Sequence, residues 1–168
     1  THAWVRGAEF VVNTDAGGGQ LSPEGRPLIY FVQGAEKTFA TFRITARNPG
    51  GHSSVPRPDN AIYDLAEAIV AVKNLGFPVQ LNETTRAFLK QLSPVAPAAA
   101  QKAIADLLAD ETNIEAGKLL SMDPVMNSTL RTTCVATMLE AGHAANALPQ
   151  RAKGVVNCRI VPGMRSEE

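Results

Sequence analysis

The sequence predicts an α+β domain: a mostly antiparallel sheet with helices on one face. Three observations carry this. Polar and apolar residues alternate with a period of two in two separated runs, 37–48 and 151–160, as in half-buried strands. Residues 61–75 repeat apolar side chains at helical spacing. The remaining helix-forming segments are grouped in one block instead of alternating with strands, which favours α+β over a doubly wound parallel sheet.

Taken in order, residues 1–20 do not read as a domain of their own. Glu9-Phe10-Val11-Val12-Asn13 is a short strand leading into Thr14-Asp15-Ala16-Gly17-Gly18-Gly19. Three consecutive glycines permit positive φ and close backbone approach, so this is a turn or site loop. The ordered body begins near Leu28, where Leu28-Ile29-Tyr30-Phe31-Val32 is apolar and β-favouring. In 37–48, Phe39, Thr41, Arg43, Thr45 and Arg47 share one face and Ala40, Phe42, Ile44 and Ala46 the other. Asn48-Pro49-Gly50-Gly51 ends this strand. In 61–75, Ile62, Leu65, Ala66, Ile69, Val70 and Val72 form a stripe, with Asp59 or Asn60 as cap and Gly76 as terminator.

Residues 83–121 read as a helical insertion, with helices at 84–92 and 98–108 and a third at 113–120. Residues 123–128 read as loop and 130–139 as a strand. Ala141-Gly142 to Pro149 is a connection. In 151–160, Ala152, Gly154, Val156 and Cys158 lie opposite Lys153, Val155, Asn157 and Arg159. A further helix is expected after Gly163, with Ser166 as its cap.

Composition narrows the function. A chain of 168 residues with 45% hydrophobic content and zero formal net charge is an ordered globular domain. No basic stripe points to nucleic acid. No apolar run reaches the roughly 20 residues that span a bilayer. The start has no signal-peptide pattern and no initiator Met, so the chain is expected to begin inside a longer precursor. Localisation stays open between cytoplasmic and exported. Cys134 and Cys158 both fall in strand-like runs and are expected to be buried free thiols. A disulfide forms only if neighbouring strands bring them together.

Four residues could carry chemistry. His52, in Gly50-Gly51-His52-Ser53-Ser54-Val55-Pro56, lies between a strand and a helix. Imidazole there can donate to an oxyanion or bind a carboxylate, or simply satisfy local carbonyls. Asn146, in Ala145-Asn146-Ala147-Leu148-Pro149, reads as turn chemistry by itself. Arg159 sits in a strand run; its planar fork suits a carboxylate, or it is an ordinary solvent-facing arginine. Asp15 ends a strand before glycines, where a carboxylate can bind a cation or form a turn. Ser53 and Ser54 have no partner base for a nucleophilic role, and His143 reads as a surface loop residue.

Taken together, the Gly50-Gly51-His52-Ser53-Ser54 motif, Thr132-Thr133-Cys134-Val135-Ala136, Ala145-Asn146-Ala147-Leu148-Pro149 and Asn157-Cys158-Arg159-Ile160 resemble the lid, or dimerisation, domain of the dinuclear zinc aminoacylase/carboxypeptidase family. The insertion at 83–121 fits its carboxypeptidase S-like or N-acyl amino acid hydrolase subgroup.

The resemblance implies a ferredoxin-like lid over 21–168, cut before its last helix, with 1–20 a remnant of a catalytic domain. It implies a homodimer, a peptide or N-acyl amino acid substrate, and two zinc ions. His52 would reach the partner's site and stabilise an oxyanion. Asn146 and Arg159 would hold the substrate carboxylate. Asp15 would bind one zinc, although many members have Glu one residue earlier relative to Asn. The family's His-x-Asp and Glu-Glu ligand segments do not occur here, so the site in this chain is expected to be incomplete and the chain alone inactive. A stand-alone dimerisation or small-molecule-binding module is the alternative.

Overall fold

The computed structural model describes Gly7, Glu9 and residues 17–164. The anticipated strand at 9–13 lies, but for Glu9, outside the described residues, as does the start of the anticipated C-terminal helix. The chain divides into two compact units, Thr1–Glu36 and Lys37–Glu168, a break later than the one expected after residue 20.

The reason lies in the first unit, where β1 (Gly18–Leu21) and β2 (Pro27–Phe31) pair as an antiparallel hairpin. The glycine run expected to be a loop supplies β1 instead. Gly19 needs to be small here: a Cβ would stand 2.9 Å from the Ile29 carbonyl oxygen.

In the second unit, β3 (Thr38–Arg47), β5 (Thr133–Ala141) and β7 (Arg151–Ile160) form an antiparallel sheet of order β3-β7-β5. β3 and β5 therefore run parallel to one another, joined by a helical crossover, with β7 inserted between them as in a split β-α-β unit. The crossover helix α1 (Ala61–Lys73) begins at Asn60, whose side chain accepts from the Ile62 N–H at 2.8 Å. Ala61 and Leu65 are fully buried against Ala152, and Ile69 and Val72 pack beside them on Val156, Cys158 and Ile160. Ile62 and Val70, expected on the apolar stripe, face outward. Gly154 lets α1 approach β7, since a Cβ there would lie 3.2 Å from both the Leu65 and Ile69 methyls.

The other helices do not cover this sheet with α1. α2 (Glu83–Leu92), α3 (Ala98–Ala109), α4 (Ile114–Leu120) and α5 (Pro124–Leu130) enclose a separate core of Leu89, Ile104, Leu107, Leu120 and Leu130. α5 replaces the loop expected at 123–128. Asp123 caps it, accepting from the Met126 N–H at 2.8 Å, and Pro124 occupies the first turn, where its missing N–H costs nothing. Arg131 ties this block together, donating to the Phe77 carbonyl at 3.0 Å and to Ser121 Oγ at 2.8 Å. Burial pushes its guanidinium below its ordinary pKa, and its Nε has no hydrogen-bond partner among the described residues.

Cys134 and Cys158 are not free thiols: they form a disulfide. The β5–β7 register sets them directly opposite, a juxtaposition that 24 residues of sequence separation conceal. Closing a loop of that size constrains the unfolded chain by about 3 kcal/mol. Reduction, or Cys134→Ala with Cys158→Ala, should lower stability by about that amount in urea melts. Identical melts with and without reductant would show that the bridge does not form in solution.

Candidate functional site

After β3 the chain turns at Gly50, whose φ of +81° belongs to the left-handed region; a Cβ there would sit 2.8 Å from Gln150 Cγ. This turn launches β4 (Gly51–His52), which pairs with β6 (Ala147–Leu148) in the register Gly51↔Leu148 and His52↔Ala147. The Ser53 N–H then donates to the Asn146 carbonyl at 2.9 Å. The segment is closed from the other side by Asp59, which accepts from the Arg57 guanidinium at 2.9 and 3.0 Å and from the Asn48 amide at 2.7 Å. The Arg57 hydrogen bond, with Asn48 adding to it, holds the Asp59 carboxyl below the usual carboxylate range.

This scaffold brings two of the sequence candidates together across 94 positions. The His52 Nε2 atom lies 3.4 Å from Asn146 Nδ2, and both residues are exposed. His52 Nδ1 is met by the Ser54 N–H at 3.2 Å and by Ser54 Oγ at 2.8 Å. A ring nitrogen that accepts from a backbone N–H carries no proton, so in the neutral ring the proton is on Nε2. The outward edge of the imidazole is thus a donor, as is the Asn146 amide nitrogen. Their 3.4 Å approach is therefore not a hydrogen bond between them, and both N–H groups are left for a third, accepting atom. Ser54, discounted as a nucleophile, proves to be the residue that orients His52. Its position two residues after a loop histidine is the only sequence signal for this.

Residues 34–168 match the M20 family model for the peptidase dimerisation domain. The chain belongs to the M20 peptidase dimerisation domain family. It is 31% identical over 128 residues to a probable carboxypeptidase S-like 2 of Dictyostelium discoideum, covering 76% of this chain and 24% of that protein. It is 27% identical over 167 residues to the human N-fatty-acyl-amino acid synthase/hydrolase PM20D1, covering 97% of this chain and 33% of that protein. A metallo-carboxypeptidase of the M20 family from Sulfolobus solfataricus aligns with a TM-score of 0.46 at 22% identity, over 88% of this chain and 40% of that one. The dimerisation domain therefore spans a quarter to a third of the curated relatives it matches.

Arg159 lies elsewhere in this dimerisation domain. It is on the open face of the sheet, opposite Thr133 and Phe39, with its guanidinium carbon 5.6 Å from the Phe39 ring centroid. That contact is a cation–π stack, and it leaves the nitrogen edge exposed. Arg159 is eight residues along β7 from Arg151, about 26 Å at roughly 3.3 Å per residue. The His52–Asn146 pair lies beyond the Arg151 end. One substrate carboxylate cannot touch both Asn146 and Arg159 of the same protomer. Asp15 lies outside the described residues.

Proposed function

We propose that this chain is the substrate-binding and dimerisation lid of a zinc metallohydrolase that cleaves amide bonds of peptides or N-acyl amino acids. The observation that carries the reading is the pair of N–H donors on His52 and Asn146, fixed by a β-ladder and open to solvent. Attack on an amide carbonyl moves negative charge onto its oxygen, and preorganised donors lower that barrier. Arg159, extended over Phe39, suits bidentate binding of a substrate carboxylate.

Because the donor pair and Arg159 stand at opposite ends of β7, we assign them to different active sites of a two-fold dimer. Each site then draws its donors from one protomer and its carboxylate clamp from the other. Self-association is supported by the family and by β5. This is an edge strand whose Val135, Met138 and Leu139 are exposed, and edge strands with unpaired backbone groups readily pair with a second copy.

A zinc ion requires about three protein ligands. Among the described residues no three His, Cys, Asp or Glu side chains converge, so these residues do not suffice to hold one. Asp15 would be a single ligand at most. His52, Asn146 and Arg159 act on the substrate alone.

At roughly 100 μM, well above the micromolar range of stable pairs, the chain should sediment as a dimer. With added zinc it should not hydrolyse N-acyl amino acids or dipeptides, whereas the whole enzyme should. A strict monomer would remove the shared-site reading, and metal-dependent turnover by the chain alone would remove the lid reading.

A further inference from the structure

The open face of the sheet carries a second concentration of charge, about 26 Å along β7 from Arg159 at roughly 3.3 Å per residue. Arg47, at the end of β3, is paired in register with Arg151, at the start of β7. Cross-strand partners share a face with their Cβ atoms close together, and like charges so placed repel. Lys153, two positions along β7, lies on the same face, opposite Thr45 and Glu140. Beyond β5 the chain turns at Gly142, with φ of +78°, which brings His143 over the same spot. Together with Gln150 these residues line an open cleft of about 420 Å³.

Its charge is unbalanced. The one carboxylate in the cleft, Glu140, stands 3.4 Å from Lys153 Nζ. Among the described residues neither Arg47 nor Arg151 has a carboxylate within ion-pair distance, whereas Arg57 and Arg86 do. Two guanidinium forks set side by side, a lysine and an imidazole face one concavity whose single carboxylate, Glu140, is engaged by Lys153. A chain of zero net charge gives no compositional reason for it.

We propose that this cleft is an oxyanion-binding site, in which Arg47 and Arg151 grip a multivalent carboxylate or a phosphate group through bidentate hydrogen bonds. Lys153 adds charge, and His143 and Gln150 close the rim. Planar forks match the spacing of carboxylate and phosphate oxygens, and an anion between the two arginines removes their mutual repulsion. The site is independent of the His52–Asn146 donors and of Arg159, and it stands whether or not the lid reading does.

The test is titration of the purified chain with inorganic phosphate and, separately, citrate, followed by NMR shifts and calorimetry at constant ionic strength. Saturable binding of at least one is expected, centred on Arg47, Arg151 and His143. Preference for phosphate identifies a phosphate ligand, and preference for citrate a polycarboxylate. Arg47→Gln with Arg151→Gln should weaken binding about tenfold or more, the scale of one charge-assisted hydrogen bond. Arg43→Gln, on the same face but outside the cleft, should leave it unchanged. Arg151→Lys keeps the charge but loses the fork, and should weaken binding several-fold. Thermal melts of each variant establish folding, and should Arg47→Gln with Arg151→Gln not fold, Arg151→Lys decides. No saturable binding of either anion, equal affinity in Arg151→Lys, or equal loss in Arg43→Gln would reduce the array to a diffuse surface field and overturn the site.

Discussion

In the intact enzyme, His52→Ala is expected to lower kcat by about 10²–10³ with little change in KM, the scale for loss of one oxyanion donor. The donor acts on charge that develops only in the transition state. Arg159→Ala should mainly raise KM, since a carboxylate clamp binds ground and transition states alike. The separation of the two along β7 adds a sharper test. His52→Ala protomers can be mixed with protomers inactivated by substitution in the Glu-Glu segment that the resemblance implies outside this chain. If His52 serves its partner's site, the mixed dimer has one site lacking both groups and one intact site, so about half the activity returns. If it serves its own site, each site lacks one group and none returns. Failure of complementation, with subunit exchange shown to occur, would refute the shared site. Equal kcat for His52→Ala and the parent enzyme would sink the donor role.

Leu107→Ala should cost about 3–5 kcal/mol of folding stability, the range for a leucine removed from a core that cannot collapse onto the gap. Leu107 is fully buried within the helical block, with Ile104, Leu89 and Leu130 around it. This core shares no buried residue with the two clusters beneath α1, and sites without common partners behave independently. The same variant, kept folded, should therefore retain the kcat of the parent enzyme. Urea titration and steady-state kinetics check both halves. A loss under about 1 kcal/mol would show that the block is not a packed core. A large fall in kcat in the folded variant would show that the block is coupled to the His52 loop.

The helical block also shows where sequence reading worked. Its helices were legible because their signals are local: runs rich in Ala, Leu, Lys and Glu punctuated by Pro94 and Pro97. Two of them carry caps three residues apart, with Asn82 accepting from the Thr85 N–H and Asn113 from the Ala116 N–H. α5 was equally local, in the Asp123-Pro124 cap, but was masked by a short polar stretch that resembles a loop. The error at Gly17-Gly18-Gly19 is of another kind. Glycine permits a turn but does not require one, and the residues that recruit Gly18 and Gly19 into β1, Phe31 and Tyr30, lie on the next strand.

By itself the sequence located the longer strands β2, β3, β5 and β7 and the first helix. It also offered His52, Asn146 and Arg159 as candidates, because period-two and helical spacing and short motifs are written in consecutive residues. β1, β4 and β6 were missed, since a strand of two to four residues rich in glycine or lying in a turn carries no periodicity of its own. Only the tertiary structure decided which residues meet. Strand register joined Cys134 to Cys158, set Arg47 beside Arg151, and brought His52 to Asn146 while holding Arg159 at the far end of β7. Register depends on hydrogen bonds between segments distant in sequence, and a shift of one residue turns every side chain to the other face. No local pattern encodes that choice; the packing of α1 against one face of the assembled sheet fixes it.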